Sequence, residues 1–211
     1  MSELSVKNLH VFRGERHLLR GLAFDVPPGR CLQVLGANGS GKTTLLRVLA
    51  GLLEPESLEL FWRGDQVQPR DPQYHADLSY LGHDPALKAD FTATENIAFS
   101  VGIRHRLKSG DVDAALVRVG AEKFADRPVR SLSAGQRRRV ALASLWLTRA
   151  RLWLLDEPST NLDAAGQALV ASMIEEQLAT GGLVLAATHQ DLGLRHEQQA
   201  ALEIGGRGVA A

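Results

Sequence analysis

The segment from Gly36 to Thr43 constrains this chain more than any other feature, because its residues spell G-x-x-x-x-G-K-[ST]. An apolar run, Cys31 to Leu35, precedes it, and leucines at helical spacing follow it from Thr43 to Leu53. A glycine-rich loop between a strand and a helix lets main-chain N–H groups converge on phosphate oxygens at the positive end of the helix. The pattern therefore predicts a strand–loop–helix unit that binds the phosphates of a nucleotide.

Three residues at the end of this loop receive individual predicted roles. Lys42 is expected to reach the β- and γ-phosphates, and the Thr43 hydroxyl is expected to ligate Mg²⁺. Thr44 is expected to support the start of the helix. The predicted nucleotide-binding residues are Gly36, Ala37, Asn38, Gly39, Ser40, Gly41, Lys42, Thr43 and Thr44.

Two carboxylates follow a second apolar run, which begins after Arg151 and leads into Asp156 and Glu157. In α/β sheets, ligands bind at the carboxyl ends of the strands, which is where this pair is expected to lie. We predict that Asp156 holds Mg²⁺ through water and that Glu157 is the general base for the attacking water. An acidic pair alone more often marks a solvated strand end, so the catalytic interpretation depends on the neighbouring phosphate loop.

Apolar periodicity predicts a mixed α/β chain. Alternation from Leu4 to Val26 and again near Leu60 predicts strands, whereas the period from about 92 to 150 is helical. Continuous apolar runs at 152–155 and 183–187, with a helical pattern between them, predict a parallel βαβ unit. We expect a single domain over residues 1–211 with a helical subdomain inserted at about 92–150.

The balance of charged residues excludes a strong net electrostatic field around the chain. Lys plus Arg and Asp plus Glu number 24 each, so the chain is not drawn as a whole to nucleic acid or to an anionic membrane. Apolar runs fall well short of the roughly 20 residues that a membrane span needs, so a soluble chain is expected. Cys31 lies in an apolar run and is expected to be a buried, inert thiol.

The pentapeptide Leu132, Ser133, Ala134, Gly135, Gln136 resembles the LSGGQ signature of ABC ATPases, with alanine for the first glycine. As in that family, the acidic pair begins 20 positions after Gln136. The resemblance implies a P-loop NTPase of ABC type, in which a RecA-like parallel-sheet core carries an N-terminal antiparallel β subdomain and an inserted α-helical subdomain.

The resemblance also implies a head-to-tail homodimer, in which each signature closes on the nucleotide held by its neighbour's phosphate loop. Asn161, Leu162 and Asp163 resemble the D-loop that links the two sites, and His189 resembles the switch histidine that contacts the γ-phosphate. Arg137, Arg138 and Arg139 begin the signature helix. A solvated face is the favoured interpretation of these arginines, and contact with partner or nucleotide is the alternative.

Two positions depart from the family pattern. His83 stands where a glutamine usually touches Mg²⁺ and water, an alignment supported by the downstream pair Glu95 and Asn96. His83 therefore either alters Mg²⁺ sensing or is a loop histidine without a nucleotide role. Arg13 stands at the expected place of the adenine-stacking aromatic, with Phe12 beside it as a candidate for stacking or for strand core.

The strings 80–83, 132–163 and 188–190, together with the short length, resemble one subgroup: the ATP-binding subunit of the cytochrome c maturation haem exporter. That resemblance implies membrane-spanning permease partners of the CcmB and CcmC type, a peripheral location on the cytoplasmic face of the bacterial inner membrane, and hydrolysis coupled to haem export or haem-chaperone release. The alternatives are an exporter ATPase for another substrate, a non-transport ABC ATPase acting on ribosomes or DNA, and a nucleotide-binding scaffold without turnover.

Overall fold

The computed structural model describes residues 2–189 and 191–205, which form two sheets and their covering helices. In chain order these residues form β1 (Leu4–Arg13), β2 (Arg16–Val26), β3 (Cys31–Leu35), α1 (Lys42–Leu49), β4 (Ser57–Trp62), β5 (Asp65–Val67), α2 (Pro72–Ala76), β6 (Leu78–Leu81), α3 (Ala93–Gly102), α4 (Asp111–Arg118), α5 (Ala134–Leu147), β7 (Leu152–Asp156), α6 (Ala164–Ala179), β8 (Leu183–Ala187) and β9 (Gln199–Glu203).

The first sheet is antiparallel, with the strand order β2-β1-β4-β5. β1 and β2 form a hairpin in which Arg13 pairs with Arg16 across Gly14, whose φ of 60° suits the tight turn. Leu4, Val6 and Leu9 are fully buried. Leu4 and Val6 alternate as predicted, and an irregularity in the β1–β2 pairing between Val6 and Leu9, where Asn8 has a φ of 50°, lets Leu9 remain buried although it lies three positions after Val6. The predicted antiparallel opening of the chain is therefore confirmed.

The second sheet is parallel, with the order β6-β7-β8-β3-β9. Every residue of β7 and β8 is buried, because side chains alternate between two apolar layers. Leu152 and Leu154 belong to the layer shared with α1 and β1, whereas Trp153 and Leu155 belong to the layer shared with α5 and α6. β3, which leads into the phosphate loop, lies inside this sheet between β8 and β9, so the loop starts from a rigid strand.

Three helices, α3 to α5, lie in the chain between β6 and β7. Their buried residues, such as Ile97, Val101, Leu116 and Val140, pack in the same cluster as Trp153 of the parallel sheet. The helical period predicted for this region is confirmed. None of the helices in the described residues combines the length and the apolar character needed to cross a bilayer.

One helix boundary differs from the sequence prediction. Helix α1 ends at Leu49, although the leucine pattern extends to Leu53. The chain turns at Gly51, whose φ is 67°, and the Leu52 amide donates to the Arg47 carbonyl at 2.8 Å. Leu52 is consequently 55% exposed, since a left-handed glycine ends the helix before the apolar pattern does.

Candidate functional site

The phosphate loop joins β3 to α1 through glycines that no other residue replaces without strain. Gly36 has a φ of 145°, and a Cβ there would lie 2.3 Å from the Ile204 carbonyl oxygen. Gly41 has a φ of 113°, and its Cβ would approach Leu19 Cδ2 to 2.9 Å. The loop therefore depends on glycine both for its left-handed turns and for its close packing.

Lys42 is folded back into this loop. The residue is only 9% exposed, and its Nζ donates to the carbonyl oxygens of Gly36 at 2.7 Å and Ala37 at 3.2 Å. The Ser40 hydroxyl is buried and has no hydrogen-bond partner among the described residues. An ammonium group and an unsatisfied hydroxyl in a glycine-rich turn form a site with the chemistry to hold an anion.

Oxygen ligands suited to a divalent cation lie beside the lysine. The Thr43 hydroxyl donates to Asp156 Oδ1 at 3.1 Å. Asp156 is 2% exposed, and its Oδ2 is a buried oxygen for which the described part of the chain supplies no partner. Residues 2–189 and 191–205 contain no cluster of three His, Cys, Asp or Glu side chains that would hold a metal. The pair fits Mg²⁺, which typically uses one or two carboxylates together with substrate phosphates and water.

Glu157 leaves the sheet by a strained turn. Strand β7 ends at Asp156, and Glu157 has a φ of 49°, a left-handed conformation that is costly outside glycine. Its amide donates to the Ala187 carbonyl at 2.8 Å, and its carbonyl accepts from the Thr160 amide at 3.1 Å. The side chain is 20% exposed, so the carboxylate remains accessible to water in the cavity that it lines.

His189 connects the acidic turn with the phosphate loop. Its Nε2 lies 2.9 Å from Asn38 Oδ1 and 3.9 Å from Glu157 Oε1. Three of the predicted site residues, from three separate segments of the chain, thus meet at one point. The next residue of the predicted string, Gln190, lies outside the described residues.

These groups line one cavity of about 740 Å³. The cavity is bounded by the phosphate loop, the end of β7, the end of β1 and Leu18 of β2. Phe12 is 48% exposed there and stacks on His17, with ring centroids 4.1 Å apart, so the alternative that Phe12 is strand core is wrong. The predicted site residues on the cavity wall are Asn38, Gly39, Gly41, Lys42, Thr43, Thr44, His83, Asp156, Glu157 and His189.

The signature pentapeptide is not part of this cavity wall. Ser133 caps α5, since its side chain accepts from the Gln136 amide at 3.2 Å while the Gln136 side chain accepts from the Ser133 amide. Gly135 packs against the loop before α6, where a Cβ would lie 2.6 Å from the Asn161 carbonyl oxygen. The signature and the D-loop segment are therefore in contact with each other and apart from the phosphate loop of the same chain.

Asp163, in the segment that resembles the D-loop, is the N-cap of a helix. Its Oδ1 accepts from the Gly166 amide at 2.9 Å and caps α6. That hydrogen bond, together with Arg139, lowers the pKa of Asp163 from its ordinary value. The carboxylate is therefore held in its charged form at the helix start.

Arg138 is the site-adjacent residue that sequence reasoning missed. The arginine run was expected to face solvent, but Arg138 is 2% exposed, so that expectation is wrong for this residue. Burial lowers the pKa of Arg138, and the carboxylates of Asp156 and Glu157 act in the opposite direction. Its donors reach main-chain carbonyl oxygens of Pro158 (3.0 Å, from Nε), Gly82 (2.7 Å, from Nη1), His83 (3.4 Å, from Nη1), Asp156 (2.7 Å, from Nη2) and Glu157 (from Nη2).

The sequence of the chain matches a known protein family and several named proteins. Residues 19–160, well over half of the chain, match the family model described as ABC transporter. The chain is 47% identical over 193 residues to the cytochrome c biogenesis ATP-binding export protein CcmA of Methylococcus capsulatus, covering 91% of this chain and 93% of that protein. It is 44% identical over 190 residues to the protein of the same name from Yersinia pseudotuberculosis, covering 90% and 87%.

Solved structures show the same fold. The structure of an ATP-binding subunit of an ABC transporter is similar at a TM-score of 0.82 and 21% identity, covering 98% of this chain and 90% of that one. The ADP conformation of the ATP-binding cassette MJ1267 is similar at a TM-score of 0.77 and 22% identity, covering 99% and 92%.

Proposed function

The chain belongs to the ABC transporter family, and from this we propose that it is the ATP-hydrolysing subunit of an export complex that serves the biogenesis of c-type cytochromes. The names and the high coverage of its curated relatives support this assignment. Haem export or the release of a haem chaperone is the proposed work to which hydrolysis is coupled. The whole chain would act as one ATPase domain with α3 to α5 as its inserted helical subdomain.

The observation that carries the proposal is the convergence of Glu157 and His189 on the phosphate loop, with His189 Nε2 within 3.9 Å of Glu157 Oε1 and 2.9 Å of Asn38 Oδ1. Lys42 would exchange its bonds to the loop carbonyls for the β- and γ-phosphate oxygens of ATP. Glu157 would accept the proton of the attacking water, whose oxygen forms the new bond to the γ-phosphorus as ADP departs. His189 would contact the γ-phosphate and keep it aligned with the attacking water.

Thr43 and Asp156 would hold Mg²⁺ at this site, and the free Asp156 Oδ2 supports that role. When bound, Mg²⁺ supplies positive charge that offsets the charge developing on the phosphate oxygens. The Thr43 hydroxyl donates to Asp156 Oδ1 and so fixes the direction of the Asp156 carboxylate. His83 lies on the same wall, in the place of a family glutamine, and would contact the water or the metal there.

Two copies of the chain are needed for a complete site in this proposal. Leu132, Ser133, Ala134, Gly135 and Gln136 lie away from the chain's own cavity, which fits a role on the nucleotide of a second copy. The exposed start of α5, capped by Ser133, presents free N–H groups suited to phosphate. Partners of the CcmB and CcmC type would span the bacterial inner membrane, with this chain bound peripherally at its cytoplasmic face.

Purification of the tagged chain from membranes tests the proposal. The wild-type protein should bring membrane-spanning proteins of cytochrome c biogenesis with it and hydrolyse ATP. The Glu157→Gln variant should bring the same proteins and bind ATP as tightly, yet lose hydrolysis by about 100-fold or more, because it lacks the base. Normal hydrolysis by the variant would contradict the proposed mechanism. Co-purification of a permease that transports an unrelated substrate would contradict the proposed role in cytochrome c biogenesis.

A further inference from the structure

One buried guanidinium joins the ends of two neighbouring strands. Arg138 uses all five of its N–H donors on main-chain carbonyls. Two acceptors, at Gly82 and His83, follow β6, and the other three run from Asp156 to Pro158 at the end of β7. β6 and β7 are adjacent and parallel, so their carboxyl ends lie at the same edge, where one planar fork reaches both.

The carbonyls bound by Arg138 belong to the turn that sets the direction of Glu157. With a φ of 49°, this residue occupies a conformation that persists only where its surroundings hold it. Three contacts do so: the amide on the Ala187 carbonyl, the carbonyl on the Thr160 amide, and the same carbonyl on Arg138 Nη2. Of these, only the contact from Arg138 also fixes the residues on both sides of Glu157.

We infer that Arg138 is a positioning residue for ATP hydrolysis, which holds the Glu157 turn in its left-handed form and ties it to the segment that carries His83. The inference rests on the proposed role of Glu157 as the base. Arg138 does not line the cavity and makes its contacts through main chain alone, so it acts through Glu157 rather than on the nucleotide.

The shape of the side chain matters as much as its charge. Lysine would keep a positive charge near Asp156 and Glu157, but its three donors on a single nitrogen cannot serve two segments in one plane. Glutamine is a good helix former, so it keeps α5 while removing the charge and most of the donors. Comparing the two variants separates the forked geometry from the charge.

The test uses the tagged full chain purified with the membrane proteins that accompany it. Arg138→Gln should lower kcat by about 10- to 100-fold, because a displacement of about 1 Å at a reacting group has effects of that size. The Kd for ATP, measured separately, should change by less than about threefold, since the phosphate loop is untouched. Arg138→Lys should remain folded, at some cost in stability because several carbonyls lose their donor, and should still lose most of kcat in the folded fraction.

Arg118→Gln is the matched control. Arg118 lies in α4, its side chain is 27% exposed, and it donates to Ser172 and Glu176 of α6, away from the cavity. Its loss should leave kcat within about twofold of the wild type. If the Arg138 variants lose ATP affinity and kcat together, in proportion to lost folded protein, Arg138 is only structural and the inference fails.

A double variant separates this inference from the proposed function. If Arg138 acts through Glu157, adding Arg138→Gln to Glu157→Gln should lower the residual hydrolysis by less than about twofold. A further 10-fold loss in that background overturns the inference while leaving Glu157 as the base. If Glu157→Gln alone hydrolyses normally, the proposed function fails first.

Discussion

The absence of a side chain at Gly135 allows the start of α5 to lie against the turn at Asn161. A Cβ at Gly135 would lie 2.6 Å from the carbonyl oxygen of Asn161, a contact too short for any ordinary Cβ. Gly135→Ala must therefore shift the start of α5 or the turn at Asn161. We expect a loss of about 1–3 kcal/mol in the free energy of unfolding, measured by denaturant titration.

Ala134→Gly is the control for that prediction. Ala134 is exposed in the first turn of α5, and glycine there matches the family signature. The free energy of unfolding should fall by no more than about 1 kcal/mol, the cost of glycine relative to alanine in a helix. Equal losses in the two variants would show that the close approach to Asn161 has no energetic weight.

The residues that sequence reasoning located are those whose chemistry is encoded locally. Lys42 and Thr43 follow from a spaced motif, and Asp156 from an acidic end to an apolar run, and all three line one cavity. Arg138 was missed because its acceptors are main-chain carbonyls 18 to 56 positions away. Every residue has such a carbonyl, so the residue types do not indicate which ones accept from the arginine. The left-handed turn at Glu157 was missed for the same reason, since long-range contacts hold it.

Helices α3 and α5 both begin with a capping box, so the same substitution at their N-caps can be compared. Thr92 caps α3 with Glu95, and Ser133 caps α5 with Gln136. Thr92→Ala and Ser133→Ala should each cost about 1 kcal/mol of unfolding free energy. Only Ser133→Ala should also lower ATP hydrolysis, by about 10-fold or more, because its N-cap is proposed to face a second copy's nucleotide.

Thermal or denaturant unfolding and steady-state hydrolysis of the two variants check this prediction together. The comparison controls for stability, since both substitutions remove the same kind of hydrogen bond from the same kind of helix start. If both variants lose hydrolysis equally, the start of α5 has no role beyond its cap.

Elements were predictable where burial imposes a pattern. β7 and β8 are apolar throughout because both of their faces are covered. The strand β9 was not predicted, because it lies at the sheet edge with only partial burial and its pairing with β3 is made by main chain. The five-residue α2 and the three-residue β5 are too short to show a period.

At the scale of the whole molecule, the residues proposed for the ATPase site lie in two separate places in the described chain. The cavity contains Lys42, Asp156 and Glu157, whereas Ser133 and Gly135 lie at the separate start of α5. A sequence can indicate both parts, but which copy supplies each part depends on how two copies pack. The proposal of a head-to-tail pair is therefore open to a direct complementation experiment.

The experiment combines two defective chains in one dimer. A Lys42→Ala chain and a Ser133→Arg chain are co-expressed with different tags, and mixed dimers are isolated by two successive affinity steps. Each homodimer should be inactive. The mixed dimer joins the intact Lys42 of one chain to the intact Ser133 of the other, so it should regain about half of the wild-type turnover per dimer.

The matched control places both substitutions in one chain and pairs that chain with the wild type. If sites are shared between copies, each of its two sites contains one defect, and this mixed dimer should be inactive. If each chain carries a complete site, the outcomes reverse. The first mixed dimer is then inactive, and the control dimer keeps about half of the wild-type turnover. Because the two arrangements predict opposite rankings of the same two dimers, one hydrolysis measurement on each decides which copy completes the site.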